Sequence, residues 1–439
     1  LKHSQVGIDI IDISTGEELL SFNGQKRFTP ASTAKVFATA LAYERLGPGF
    51  TYKTRLFSKS PIQGGNIQGD LILVPCQDPT LGADDLKGLF NLLAARGLRH
   101  VDGNLIEQDV PSGGERFQPE WLSEDWAQDW MPVSSSLVVD RNIGSPNTLS
   151  RTRITTRGPA DTGNALERSL LASDYTEGWL SFAENSRSLV VFQAAKQGNA
   201  RSSEFKAIGN PDAYNRALTQ DIAERAGIKF SNHWLKWDAF GKTIMLAEHH
   251  SATLDKIIKT TLRDSDNLYA QQILRTLGLT RENSGTDGKN KNKNGLTLEQ
   301  SGLQKISHWL NTIGVLSDEV VLWDGCGLSR KDFVTPHALS SVLRHMAINP
   351  QLNGYVALLT PATIKPQGTF QFKTGAMDSV RTVTGILQNG QGQRLAVTIM
   401  VNGHGPSVRD LRTSIGILVN NLAATDLPLK GADAQAAAQ

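Results

Sequence analysis

The chain is 439 residues long, 39% hydrophobic, with 45 basic against 43 acidic side chains and a formal charge of +2. Length and apolar content allow a large core and two or three domains, and the balanced charge argues against a nucleic-acid binder or a polybasic membrane anchor. No run of 18 apolar residues occurs, so no helix is expected to span a bilayer.

In chain order, the first elements read as follows. Val6 to Ile13 alternates and then runs apolar, Ser14-Thr15-Gly16 turns, and Glu18 to Phe22 returns, which predicts a hairpin. The pattern begins so close to Leu1 that the chain reads as a mature or trimmed form without its targeting segment. Phe28-Thr29-Pro30-Ala31 breaks the strand pattern, and a helix begins near Ser32, apolar at Val36, Phe37, Ala40, Leu41 and Tyr43 and stopped by Gly47-Pro48-Gly49. The region from about Phe57 to Lys242 holds many Gly and Pro breakers and strand-like runs such as Leu71 to Val74 and Ser188 to Gln193. It reads as two largely β domains inserted at 58–242, with about 82–154 nested inside the other.

Asn283 to Asn294 is polar and reads as a solvated loop. Val380 to Leu387 and Arg394 to Val401 are predicted strands, and Ser407 to Leu422 a helix. Strands followed by a helix at both chain ends predict one mixed α+β domain, 1–57 with 243–426, closed by its terminal segments. The last residues, 427–439, are rich in Ala and Gln and read as a disordered tail. Cys76 and Cys326 are either two free thiols or one bridge.

Three short strings lie in order along the chain: Ser32-Thr33-Ala34-Lys35, Ser265-Asp266-Asn267 and Lys373-Thr374-Gly375. Together they make the S-x-x-K, S-D-N, K-T-G set of class A β-lactamases and penicillin-binding proteins. Singly each is weak, since Ser203-Glu204-Phe205-Lys206 also fits S-x-x-K, and Ser21-Phe22-Asn23 and Ser145-Pro146-Asn147 fit S-x-N. Context separates the first pair: Gly209 and Pro211 forbid a helix that continues through Lys206, whereas a long apolar helix continues from Lys35. Ser32 and Lys35, three apart, then project on one face, and the backbone N–H of Ser32 is one of the open donors of a helix start, suited to an oxyanion.

A serine hydroxyl needs a base to take its proton, and Lys35 serves only if it is neutral. Bringing an amine from about 10.4 to near 7 costs roughly 4 to 5 kcal/mol, supplied by burial and by a second cation, for which Lys373 is the candidate. Ser265 and Asn267 cannot share a helix face, so the backbone must turn between them. Lys373 and Thr374 can hold a carboxylate by charge and hydroxyl, and Gly375 lets a substrate backbone approach. No metal-ligand or dinucleotide pattern is present, so no metal or cofactor is expected. Trp121, Trp126 and Trp130 read as core or cleft lining.

With these residues in hand, the chain resembles the penicillin-binding protein 4 family of D-alanyl-D-alanine carboxypeptidases/endopeptidases (peptidase family S13). The likeness runs over nearly the whole length and includes Gly69-Asp70-Leu71, Asp78-Pro79-Thr80-Leu81, Val139-Asp140-Arg141-Asn142 and Asp324-Gly325-Cys326-Gly327-Leu328-Ser329-Arg330. The long insertion of about 230 residues between the first two motifs is typical of that family and absent from class A β-lactamases.

The resemblance implies a β-lactamase/transpeptidase-like domain and a serine DD-peptidase of the cell envelope or periplasm. Ser32 would attack D-Ala-D-Ala, and by extension D-Ala-diaminopimelate cross-links, and β-lactams would acylate it. Lys35 would be the base, Ser265 a proton relay, Asn267 an orienting group, and Ala376 with Ser32 the oxyanion donors. Asp125 and Arg330 would meet the ammonium and carboxylate of diaminopimelate, with Trp130 and Met377 lining that pocket. Two departures stand out: Cys326 replaces the usual Ser, and the stretch Leu358 to Thr369 is short and lacks a Gly-Thr-Leu run. The rival readings are a β-lactamase and a non-catalytic peptidoglycan-binding scaffold.

Overall fold

The computed structural model describes residues 4–108, 118, 120–122, 125, 128–144, 206–207, 211–231, 242–280, 296–365, 367–405 and 408–425. The chain divides into two compact units, Leu1–Phe50, Gln118–Trp121 and Thr253–Gln439 forming one, Thr51–Phe117 and Leu122–Ala252 the other. Both contain helices and sheets.

The first unit is built on a six-stranded antiparallel sheet in the order Thr360–Thr363, Thr369–Met377, Val380–Gln388, Arg394–Asn402, Gln5–Asp12 and Glu18–Phe22. The two chain ends meet at its centre, Ile8 opposite Ile399 and Ile10 opposite Val397. Ile10, Val383, Val397 and Ile399 share a core with Leu411, Val419 and Leu422 of the C-terminal helix Val408–Ala424. The helix Pro336–Ile348, with Pro at its start and a Thr335 side-chain cap, packs on the strands Gln5–Asp12 and Arg394–Asn402.

The helix Lys35–Leu46 is buried from Lys35 through Tyr43. Such an all-round apolar helix belongs inside a core, and here it lies among the helices Leu254–Arg263, Asn267–Leu279 and Pro336–Ile348. Fully burying Val36, Phe37 and Leu41 contributes about 1.5–3 kcal/mol each.

In the second unit, Lys53–Ser58 pairs with both Ile244–His250 and Leu71–Val74, and Leu71–Val74 also pairs in parallel with Leu105–Glu107. Two helices pack together there, Ala83–Ala95 and Pro211–Arg225. Leu86, Leu89, Phe90 and Leu93 put one face of the former into the unit's core with Leu56, Leu73 and Ile222. The sequence reading had singled out no helix in this region. Ser188 to Gln193, Ser203 to Phe205, Trp126, the stretch Asn283 to Asn294 and the tail 427–439 lie outside the described residues. Among the described residues no helix is long and apolar enough to cross a membrane.

Candidate active site

Ser32 sits in a single 3-10 turn, Ala31–Ala34, and the α-helix proper starts at Lys35, three residues later than the sequence pattern suggested. The cause is crowding of the backbone. Ala31 is left-handed, φ 48°, and two glycines press on the turn from either side. A Cβ on Gly375 would lie 2.6 Å from Pro30 O and 3.0 Å from Ser32 N; one on Gly327 would lie 1.9 Å from Ala31 O. The glycine of K-T-G is therefore required by the protein's own serine turn. Side chains three apart eclipse in a 3-10 turn, and Lys35 Nζ stands 2.9 Å from Ser32 Oγ.

Lys35 is fully buried. Its amine donates to Asn267 Oδ1 at 2.7 Å and to the backbone carbonyl of Cys326 at 2.6 Å. Two carbonyl acceptors take two hydrogens, and the third contact, to a hydroxyl, can run either way. A neutral amine matches this set: two N–H groups on carbonyls and the lone pair toward Ser32. Burial is the leading influence and pushes the Lys35 ammonium down from the usual lysine range, while Cys326, Asp324, Asp266 and Asp332 pull it back up.

The sequence reading named burial and a second cation, Lys373, together as the causes. In the structure Lys373 is itself lowered, to about 7, chiefly by burial. Lys373 is buried and donates to Ser265 Oγ and to Thr374 O, both at 2.9 Å.

S-D-N occupies the joint between two helices. Leu254–Arg263 ends at Asp264, Ser265 is left-handed with φ 59°, and Asp266 caps Asn267–Leu279 by accepting from the N–H of Tyr269 at 3.0 Å. The left-handed residue is the turn that the spacing required. It sends Ser265 to Lys373 and Asn267 to Lys35.

Thr374 and Ala376 are exposed, Gly375 is buried and Met377 half-buried along the strand Thr369–Met377. The short segment before it explains an open edge. Thr360–Thr363 pairs only with Thr369–Phe372, so Lys373 to Met377 carry a strand partner on one side only among the described residues. Arg330 lies near Asp378, 3.5 Å from its carbonyl and 3.8 Å from its carboxylate.

Asp125 and Trp130 belong to the second unit; Asp125 is half-buried, its N–H donating to Leu122 O at 3.1 Å, and Trp130 is exposed. Cys76 and Cys326 are free. The Cys326 side chain is fully buried and its thiol is pushed well above the ordinary range, first by burial, so it is its backbone carbonyl that takes part in the site.

The sequence reading gave Asp324 no role and read Trp121 as core or cleft lining, without its partner. Trp121 is buried, and its indole N–H donates to Asp324 at 2.7 Å. The run Asp324 to Arg330 carried the signal for Asp324; for Trp121, within a long insertion, local sequence carries none.

Comparison with known proteins places almost the whole chain in a family. Residues 1–422 match the D-Ala-D-Ala carboxypeptidase 3 (S13) family. A D-alanyl-D-alanine carboxypeptidase of Actinomadura sp. strain R39 is 27% identical, over 98% of this chain and 83% of its own. The D-alanyl-D-alanine carboxypeptidase DacB of Haemophilus influenzae is 25% identical, over 95% and 89%. The crystal structure of penicillin binding protein 4 from Haemophilus influenzae superposes with a TM-score of 0.76 at 22% identity, covering 97% of this chain and 98% of that one. Its complex with a novel β-lactam superposes at 0.70 and 23%, covering 95% of each. The fold is thus the β-lactamase/transpeptidase-like one. With a family match over almost its whole length, this chain belongs to the D-Ala-D-Ala carboxypeptidase 3 (S13) family of serine-type peptidases.

Proposed function

We propose that the chain is a serine DD-peptidase of the cell envelope that cleaves D-Ala-D-Ala in peptidoglycan stem peptides through an acyl-enzyme on Ser32. One observation carries this: a fully buried amine 2.9 Å from the Ser32 hydroxyl, with carbonyls taking its other hydrogens. Lys35 accepts the hydroxyl proton as Ser32 attacks the substrate carbonyl. The oxyanion that forms meets the backbone N–H groups of Ser32 and Ala376; loss of one such donor typically costs about a hundred- to a thousandfold.

Ser265, held by Lys373, passes a proton to the leaving amine, and water then releases the acyl group. Lys373 and Thr374 hold the terminal carboxylate, and Asn267, its oxygen committed to Lys35, turns its NH2 to the substrate amide. Penicillins present a similar carboxylate beside a reactive carbonyl, so they acylate the same hydroxyl. The complex of the Haemophilus influenzae relative with a β-lactam supports this.

Cross-link cleavage at D-Ala-diaminopimelate extends the same chemistry. Arg330, beside Asp378, is the proposed partner of a free carboxylate there. The assignment of Asp125 and Trp130 to that pocket rests on the resemblance alone.

Mass spectrometry after penicillin treatment tests the reading, with a single penicilloyl adduct expected on the peptide containing Ser32. Release of D-Ala from a diaminopimelate pentapeptide is expected from the native enzyme and not from Ser32→Ala. An adduct elsewhere would refute the assignment, rapid penicillin turnover would favour a β-lactamase, and no release from either protein would favour a scaffold.

A further inference from the structure

Beneath the base lies a second buried cluster that the mechanism above does not use. Asp324 is fully buried. Its Oδ1 accepts from the backbone N–H of Cys326 at 2.9 Å and of Gly327 at 2.5 Å. Its Oδ2 accepts from Leu328 N at 3.2 Å, Ser329 N at 2.8 Å and the Trp121 indole N–H at 2.7 Å. Five N–H donors converge on one acceptor-only group, which is the environment of an ionised carboxylate.

The loop so gathered delivers two things to the serine turn. One is the Cys326 carbonyl on Lys35 Nζ. The other is Gly327, whose α-carbon face is packed against Ala31. Asp332 completes the cluster. It is fully buried, its Oδ1 accepts from Trp323 N at 2.7 Å, and its Oδ2 has no donor among the described residues. Burial, and then the charge of Asp324, push this carboxyl well above the ordinary range.

We propose that Asp324 is the positioning residue of the general base: it holds the Cys326 carbonyl on Lys35 and sets a fixed negative charge under the amine. The inference rests on the acylation mechanism proposed above. The carbonyl keeps the Lys35 lone pair aimed at Ser32, because it and Asn267 occupy both N–H groups. The charge works against burial and keeps the amine basic enough to take a proton. The other charged or titratable groups acting on Lys35 are Asp332 from the same cluster, Asp266 from the helix cap, Cys326 from the same loop and Lys373 from the strand.

The test is stopped-flow acylation by a fluorescent penicillin across pH, on the full chain. Asp324→Asn is expected to slow acylation roughly a hundredfold, the scale of a misplacement of about 1 Å. Without the negative charge the free amine forms at lower pH, so the acid limb of the rate profile is expected to move down by about one pH unit. A purely structural residue would lower the rate and leave that limb in place, which would overturn the proposal.

If Asp324→Asn is not folded by circular dichroism, Trp121→Phe removes one donor from the same carboxylate and is expected to slow acylation about tenfold. An unchanged rate in Trp121→Phe would then overturn the proposal. Ser32→Ala separates the two levels: labelling that survives in it refutes the proposed function, whereas labelling that needs Ser32 but ignores Asp324 refutes only this inference.

Discussion

On the catalytic side of the first unit, Lys35 and Lys373 are buried, and every contact that each amine makes is to a hydroxyl or a carbonyl. On the strand Gln5–Asp12 of the same unit, Asp9 is just as buried, yet neither carboxyl oxygen has a hydrogen-bond partner among the described residues. The nearby Ser340 hydroxyl instead donates to Thr398 at 2.9 Å and to the Asp9 backbone carbonyl at 3.3 Å. Burial raises the Asp9 pKa from 3.8 to about 6, helped by Glu18 and Glu319 and opposed by Ser340 and His337.

Desolvation acts alike on all three groups, always against the charged form. The consequences differ with the neighbours. A buried amine whose hydrogens are held by carbonyls, next to a hydroxyl, becomes a directed base. A buried acid with no partner becomes only a pH-dependent cost to stability.

The sharpest way to break this contrast is at the base. Lys35→Ala removes the proton acceptor and is expected to lower penicillin acylation at least a thousandfold, at the upper part of what general bases contribute; stopped-flow labelling measures it. A fall of tenfold or less would mean that another group takes the Ser32 proton.

Next in size is the acid on the other side. The native state holds a proton on Asp9 between 3.8 and about 6 that the unfolded chain has lost. Its contribution to stability is therefore full below 3.8 and falls away as pH rises through about 6. At pH 8 the penalty is complete, about 3 kcal/mol. Asp9→Asn is expected to raise the unfolding free energy from urea denaturation at pH 8 by up to that amount, with a gain that shrinks as pH falls below 6. A gain independent of pH would separate Asp9 from titration altogether.

Packing offers a third test. Alanine at Gly375 would place its Cβ 2.3 Å from Thr382 Oγ1 and 2.6 Å from Pro30 O, displacing the serine turn rather than crowding the substrate. Acylation is expected to fall about a hundredfold, with little change in the apparent affinity for a non-reacting D-Ala-D-Ala analogue measured by calorimetry. A loss of affinity with the acylation step intact would return the glycine to the substrate-facing role that the sequence suggested.

Several elements were legible in advance because their signals are local. The hairpin of Gln5–Asp12 and Glu18–Phe22, the strands Val380–Gln388 and Arg394–Asn402 and the closing helix follow from alternation, turn residues and helical spacing. The helix Ala83–Ala95 had a readable face in Leu86, Leu89, Phe90 and Leu93, hidden by the surrounding Gly and Pro. Other features depend on partners hundreds of residues away. Nothing near Ser32 announces a 3-10 turn, because Gly327 and Gly375 impose it. Nothing near Gln118–Trp121 says that this segment belongs with the first unit, or that Trp121 serves Asp324.

The smallest expected effect concerns the second lysine. With a pKa of about 7, Lys373 carries its charge below that pH and loses it above. Binding of a carboxylate ligand is expected to weaken above pH 7, by up to tenfold per unit, and to draw a proton onto the protein. Calorimetry at pH 8 in buffers of different ionisation enthalpy reads that uptake. No uptake would place the carboxylate away from Lys373.

The state of the Lys35 amine can be observed directly. Lysine labelled with carbon-13 at Cε gives one NMR signal per side chain, and the Lys35 signal is the one lost in Lys35→Met. In the uncomplexed enzyme at pH 8 that signal is expected at the free-amine position, returning to the ammonium position only as the pH is lowered. An ammonium signal at pH 8 in folded, penicillin-reactive protein would contradict the mechanism at its first step.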